Sequence, residues 1–338
     1  MVTEAHLKNK ISKPLKNKGK LIALRKAFKT TRERQEENIP LFPDLEQRIN
    51  RLKQTRDFSI GNKELLSQAI KKFENNGFRV FYADTKKDAV DFILKEIGEE
   101  KLVVKSKSNV TKEIGLHEYL EKNGVEVIET DLGDYILQLS KEKPAHPTGP
   151  ACHLSRHEIA KIFSDAFGKN FEPDPLILTK FGKEKIRGYI ERSKIGITGA
   201  NALCAEEGAA VIINNEGNIN LVQMREKKHI IVTSIDKIYP NIEEAINMVK
   251  LCTYYATGAP ITSYIEIISG VSKTADIEKM LFKGMQGPNE VILVLVDNGR
   301  TEAFAKGYKN LFYCIGCGNC LLDCPVYHVV GNEYGYKG

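Results

Sequence analysis

Residues 78–129 read FRVFYADTKKDAVDFILKEIGEEKLVVKSKSNVTKEIGLHEYLEKNGVEVIE. Three short runs rich in branched and aromatic residues, 78–82, 101–104 and 125–129, alternate with two stretches, 86–97 and 111–122, whose apolar residues recur at three- and four-residue steps. A helix of about a dozen residues between two strands carries the chain back to run in the same direction, so the pattern specifies βαβ units and a parallel sheet covered on both faces. The fold class read from this stretch is α/β.

Towards the N-terminus, Leu7, Ile11, Leu15, Leu21, Leu24 and Phe28 recur at helical steps among Lys and Arg, Pro40 and Pro43 interrupt, and Leu45, Ile49 and Leu52 begin a second helix. Residues 1–77 are therefore expected to be a helical arm. Towards the C-terminus, a loop rich in Pro, Gly and His spans 143–153, and Ser155 with Glu158 has the spacing of a capping box. Strands are expected at 209–213, 221–224, 230–234 and 291–296, and a helix at 242–255, which extends the α/β domain over 78–305. The turn chemistry of Asn214-Asn215-Glu216-Gly217-Asn218 predicts some antiparallel pairing there.

The 338 residues are 42% hydrophobic and 28% charged, which excludes a disordered or fibrous chain. The longest apolar run, residues 291–296, is far short of the roughly 18–20 residues of a membrane span. With no apolar stretch at the N-terminus to act as a secretion signal, the expected location is cytoplasmic. The net charge of +6 is uneven: residues 1–60 hold 15 Lys and Arg against 7 Asp and Glu. A solvated helical face accounts for such an arm; a nucleic-acid site would need a recognition motif that the sequence lacks.

Cys152, Cys204 and Cys252 stand singly and read as buried reduced thiols. Cys314-Ile315-Gly316-Cys317-Gly318-Asn319-Cys320-Leu321-Leu322-Asp323-Cys324-Pro325 is different. Its C-x2-C-x2-C-x3-C-P spacing is the ferredoxin run, in which the first three cysteines bind one [4Fe-4S] cluster and the fourth ligates another. Zinc is the alternative, although its sites more usually use two separated C-x2-C pairs. The metal-ligating candidates are Cys314, Cys317, Cys320 and Cys324. Pro325 biases Cys324 towards an extended backbone that turns its sulfur away from the other three. The fourth thiolate for their cluster is expected from a partner chain or from sequence beyond Gly338, with His328 as a weaker candidate.

Two further stretches carry pocket chemistry. Lys105-Ser106-Lys107-Ser108 follows a strand and precedes a helix, where an anion pocket and a simple helix cap are alternative readings. Gly196-Ile197-Thr198-Gly199-Ala200-Asn201, with Glu206, Glu207, Glu216 and Asn218 downstream, reads either as a donor-rich ligand loop with a carboxylate base or as a glycine turn with surface acids. The pocket candidates are Lys105, Ser106, Lys107, Thr198, Asn201, Glu206, Glu216 and Asn218, and all are expected to converge on one site for a small-molecule anion. His146, His153 and His157 lack the spacing of a helical metal pair.

Residues 104–108, 113–116, 129–136, 196–201 and 215–218, followed by the cysteine run, together resemble the lactate utilisation protein B family. The resemblance implies a LUD domain of NagB/RpiA/CoA-transferase-like fold joined to a ferredoxin-like segment, here 306–338. It implies an iron-sulfur electron-transfer component of an L-lactate to pyruvate oxidation system, working with sibling subunits. Two departures stand out. Glu207 occupies a position where the family has a small hydroxyl residue, and the chain ends at Gly338, whereas the family continues into a second cysteine run, so a second cluster requires a partner or further sequence. The sequence shows no G-x-G-x-x-G fingerprint, which leaves the hydride acceptor to a partner or to a cofactor without a recognised motif. The alternative function is a stand-alone enzyme acting on an acyl or phosphorylated molecule, with Glu206 as base and Lys105 or Lys107 as anion clamp. A cluster-gated nucleic-acid regulator is a third, poorer reading.

Overall fold

A computed structural model describes residues 12, 18–225 and 227–331. Leu7, Ile11 and Leu15, read as the start of the arm, lie outside the described residues. The arm continues as α1 (Lys18–Asn38), α2 (Leu45–Ser59) and α3 (Lys63–Asn75), with Ile39–Leu41 as a short turn of 3-10 helix at Pro40.

Then follow β1 (Phe78–Ala83), α4 (Lys86–Ile97), β2 (Leu102–Lys105), α5 (Asn109–Glu113), α6 (Leu116–Lys122), β3 (Glu126–Glu129), α7 (Leu132–Ser140), α8 (Arg156–Phe167), α9 (Pro175–Arg192) and β4 (Ile195–Thr198). Gly115, left-handed at φ 68°, breaks the helix expected over 111–122 into α5 and α6. The capping box at Ser155 and Glu158 is formed at the start of α8.

After β4 the chain leaves the main sheet for β5 (Ala202–Cys204) and β6 (Ala209–Asn214), passes through α10 (Asn218–Gln223), and returns as β7 (Lys228–Ser234). The strand expected at 221–224 is a correction, because these residues belong mostly to α10. The Asn214 side chain accepts from Gly217 N–H and starts the helix, Ile219 and Val222 turn inward at i, i+3, and the helix crosses Gly196 so closely that a Cβ there would run into the Val222 carbonyl. The remaining elements are β8 (Ile238–Tyr239), α11 (Ile242–Thr257), β9 (Tyr264–Ile268), the small hairpin β10 (Lys273–Thr274) and β11 (Phe282–Lys283), β12 (Glu290–Val296), α12 (Arg300–Ala305), α13 (Asn319–Leu322) and α14 (Tyr327–Val330).

The main sheet is parallel throughout, in the order β1-β12-β7-β4-β2-β3. Residues 291–296 of β12 lie between β1 and β7 and are at most 1% exposed, which is why they form an unbroken apolar run. Each such buried Val, Leu or Ile contributes roughly 1.5–3 kcal/mol. The second sheet, β8-β5-β6-β9, pairs β6 antiparallel to both neighbours, as expected for this region, but the β5–β6 turn is residues 205–208, while the turn residues Asn214–Asn218 lead into α10.

From β2 the chain moves to β3 at the sheet edge, whereas from β4 it moves the other way, to β7 and then β12. The strand order therefore reverses between β2 and β4, and open α/β sheets bind ligands in the crevice outside the carboxyl ends of strands at such a switch point.

Candidate functional site

A cleft of about 680 Å³ opens at this switch point. Its floor is the turn after β2, with Ser106 and Lys107, and the turn after β4, with Gly199 and Asn201. The two turns touch: a Cβ on Gly199 would lie 2.8 Å from Ser108 Oγ, so a side chain there would force them apart. The β6 end and α10 form one wall, α11 another, and the loop 147–152 closes a side. Cys314, Ile315 and Gly316, at the start of the cysteine run, complete the lining.

Of the eight pocket candidates, the structure brings Ser106, Lys107, Asn201, Glu216 and Asn218 together in this lining. Lys107 Nζ donates to Asp131 Oδ2 at 2.8 Å and to the Thr148 carbonyl at 3.0 Å. Asn201 spends its side-chain oxygen on Ile213 N–H at 2.9 Å, and Asn218 donates to Thr130 Oγ1 at 3.0 Å. Glu216 accepts the Leu132 N–H at 3.2 Å. Although open to solvent on one side, its carboxyl is enclosed by the cleft walls, and that enclosure, with the negative charge of Asp131, pushes its pKa up to about 7.

Lys105, Thr198 and Glu206 are not in the lining. Lys105 is buried in an ion pair with Glu129 Oε1 at 2.9 Å, where burial, against the pull of Lys105, pushes the Glu129 carboxyl up. Thr198 Oγ1 meets His229 Nε2 at 2.8 Å in the sheet interior. Glu206 is exposed in the turn between β5 and β6, while Asn201 and Glu216 belong to the other end of that hairpin. Glu207 accepts the Ile242 N–H at 3.2 Å, at the start of α11.

No local pattern in the sequence marks the second charged group in the cleft. Arg300 Nε meets Asp236 Oδ1 at 2.7 Å, and its other end grips Glu113 at 2.6 Å. Arg56, 1% exposed, donates to the carbonyls of Asp236 and Phe312. Against burial, which favours the neutral acid, Lys237, Arg300 and Arg56 hold the Asp236 carboxyl well below the usual carboxylate range.

This network also carries the cysteine run. Arg56 fixes Phe312, Lys237 Nζ reaches the Cys314 carbonyl at 3.4 Å, and Tyr313 binds Asp57. On the other side His146 Nε2 meets the Gly318 carbonyl at 3.2 Å. Gly316 and Gly318 are left-handed at φ 73° and 76°, and a Cβ on Gly318 would collide with the His146 ring. The basic arm packs over the run: Leu24 and Phe28 of α1 join Leu321, Leu322 and Tyr327 in one cluster, Arg25 Nη2 donates to the His328 carbonyl at 2.6 Å, and Arg32 pairs with Asp323.

The thiols are accessible to different degrees: Cys314 and Cys320 are exposed, Cys317 and Cys324 half-buried. Burial raises the pKa of Cys317 and of Cys320, with Cys314 adding to each. Cys317 packs with Tyr239, Met248 and Cys252, whereas Cys324 packs with Leu24, Phe28 and Tyr327, so the two sulfurs belong to different clusters. Cys252, expected to be an isolated thiol, lines the same cleft with its Sγ 3.8 Å from the Ile315 carbonyl; burial, reinforced by Cys317, pushes it up to about 12. Among the described residues no three His, Cys, Asp or Glu side chains stand close enough together to hold a metal ion. The fit to a cluster lies in the donor chemistry of the thiols and in the two left-handed glycines that let the backbone N–H groups turn towards them, as Gly316 N–H does to Cys314 Sγ at 3.4 Å. Among the described residues no helix is long and apolar enough to cross a membrane.

The fold and site define a class: an α/β protein with a switch-point cleft beneath a glycine-shaped cysteine loop. Residues 66–296 match the LUD domain model, and the chain belongs to the LUD domain family. It is similar to an uncharacterized electron transport protein, YkgF, of Escherichia coli K12, at 38% identity over 85% of this chain and 59% of that protein. It is also 38% identical to lactate utilization protein B of Oceanobacillus iheyensis, over 80% of this chain and 55% of that one. The resemblance read from the sequence thus holds, and the chain spans less than two thirds of the length of these relatives. A crystal structure of a DUF162 family protein from Deinococcus radiodurans aligns with 69% of this chain and 96% of its own, at 12% identity and a TM-score of 0.37.

Proposed function

We propose that the chain is an iron-sulfur electron-transfer component of a lactate-oxidising system, with Cys314, Cys317 and Cys320 as ligands of a [4Fe-4S] cluster and a fourth thiolate from a partner or from further sequence. Cys324, held with Phe28 and Tyr327, serves a second cluster if a partner or further sequence completes one. The observation that carries this reading is the position of the ferredoxin-spaced loop on the rim of the LUD cleft, gripped from both sides by Arg56, Lys237 and His146. The names of the relatives, an electron transport protein and lactate utilization protein B, point the same way. When bound, the cluster supplies one-electron transfer. The chain's own residues fix the loop, keep Cys317 half-shielded from water, and hold Lys107 and Glu216 in the cleft below. Sibling subunits supply the hydride acceptor.

The test is anaerobic purification of the chain with iron and sulfide quantification, then addition of L-lactate with the sibling subunits. The reading expects iron and sulfide in the wild-type chain, their loss in Cys317→Ser with the α/β domain still folded, and reduction of the cluster by lactate when the siblings are present. Full iron content in Cys317→Ser overturns the ligand assignment.

A further inference from the structure

The edge of a sheet presents a row of unpaired backbone N–H and C=O groups, and natural folds cover or charge such edges so that other chains do not pair with them. The two sheets of this protein have four edges, and three are treated in that way. Gln138 of α7 closes the β3 edge, donating to the Val127 carbonyl at 2.6 Å and accepting the Glu129 N–H at 3.1 Å. β1 carries the charged Arg79, paired with Glu96 and Glu290, and β8 is a buried strand of two residues.

β9 is the exception. It ends the second sheet, pairs with β6 on one side, and among the described residues has no strand on the other. None of its five residues is buried, and none is Lys, Arg or Pro. Its single charge, Glu266, is spent within its own sheet and the neighbouring helix, accepting from Asn214 Nδ2 at 3.2 Å and from Gln223 Nε2 at 3.1 Å. Apolar side chains continue the edge. Residues 269–272 lead straight into the β10–β11 hairpin, whose connection carries Ile277, Met280 and Leu281, with Met285 just beyond. Met224 lies between strand and hairpin: its neighbour Gln223 holds β9, and its sulfur would stand 3.3 Å from a Cβ on Gly287. These five side chains, with Tyr264 and Ile267 of β9, are all between 45% and 65% exposed.

We infer that β9 and the hairpin form a two-fold interface with a second copy of this chain, β9 pairing antiparallel with its own counterpart. Symmetry, charge and area select that occupant. An antiparallel strand pair is symmetric about a two-fold axis, so this edge is complementary to itself and joins two four-stranded sheets into one. Residues 273–285 hold three lysines against two carboxylates, a balance that lets like surfaces meet and offers no single-sign field to a charged partner. The seven apolar side chains expose on the order of 100 Å² each, more than the roughly 300–600 Å² patch of a typical monomer and close to the ~800 Å² per partner of a stable interface. The inference goes beyond the electron-transfer reading and uses neither the cysteine loop nor the cleft.

The test is sedimentation velocity of the anaerobically purified chain, with reductant present so that no intermolecular disulfide forms, combined with hydrogen exchange. The expected result is a dimer with a dissociation constant on the order of 10 μM or tighter. Ile267→Lys and Leu281→Lys each weaken it about tenfold or more with circular dichroism unchanged, whereas Leu176→Lys, at an exposed position on α9, leaves it intact. In the wild-type chain the amides of 264–268 lose protection on dilution below the dissociation constant, a reading that stands even if a variant fails to fold. A monomer at 100 μM, a dimer equally tight in both edge variants, or β9 amides protected only when sibling subunits are added overturns the inference. Iron and sulfide content decides the electron-transfer reading separately, because neither edge variant touches the cysteine run.

Discussion

Gly318 shows how one residue sets the cysteine loop. Its φ of 76° is a conformation that side-chain-bearing residues adopt only with strain, and the His146 ring occupies the space where a Cβ would go. Gly318→Ala meets both penalties at once. The expected result is a loop displaced from His146 and iron loading cut to half or less, measured by iron and sulfide analysis, with the circular dichroism of the α/β domain unchanged. Loading equal to wild type shows that the loop does not need this geometry. At the same scale, residue identity alone does not say where a group serves. Lys105 and Lys107 differ by two positions, yet one is sealed against Glu129 and the other lines the cleft.

At the scale of elements, α1 acts as a strap. Leu21, Leu24 and Phe28 fall on one helix face at the spacing visible in the sequence, and that face is buried. What it covers is the cysteine segment: the Phe28 ring lies 6.1 Å from Tyr327, 5.6 Å from His146 and 5.7 Å from His328. The basic charge of the arm is partly spent here, on the His328 carbonyl, Asp323 and Glu142. Phe28→Ala is expected to remove about 3–5 kcal/mol of packing. Because that loss is local, amide exchange should speed up across residues 319–331 while β12 keeps its protection. Uniform loss of protection throughout the chain shows instead that arm, segment and sheet unfold as one unit.

For the whole molecule, His229 provides a pH dependence with a definite sign. It is fully buried next to Thr198, and burial lowers its pKa to about 3 from an ordinary value near 6.5. The unfolded chain therefore takes up a proton that the folded chain refuses. The stability this group contributes is complete above about pH 6.5 and is lost as pH falls from there towards 3, at up to about 1.4 kcal/mol per pH unit. Urea denaturation at a series of pH values should show this fall, and His229→Gln, which keeps a hydrogen-bonding side chain beside Thr198, should flatten it. A slope between pH 6 and 4 that is the same in wild type and His229→Gln shows that other groups govern the acid limb.

The sequence by itself determined the class of fold, because alternation of strand and helix is a local property: 78–82 and 291–296 announce strands and 86–97 a helix, and the ferredoxin-like spacing of Cys314 to Cys324, on which the proposed cluster rests, is legible within a dozen residues. It also indicated part of the cleft floor, since turns at the carboxyl ends of parallel strands gather on one edge whatever their sequence separation. Only the tertiary structure decided the rest. Residues 221–224 look like a strand from composition, but the Asn214 cap and the bare backbone of Gly196 make room for a helix. Arg56, Asp236 and Arg300 are 180 and 64 residues apart in sequence, so no local pattern records that they share one site. Glu206 and Glu216 carry the same charge and look equally suited to a cleft, yet opposite ends of the β5–β6 hairpin put one in solvent and the other beside Lys107. The physical reason is common to all three: burial and charge pairing depend on which elements pack together, a long-range property that adjacent residues do not encode.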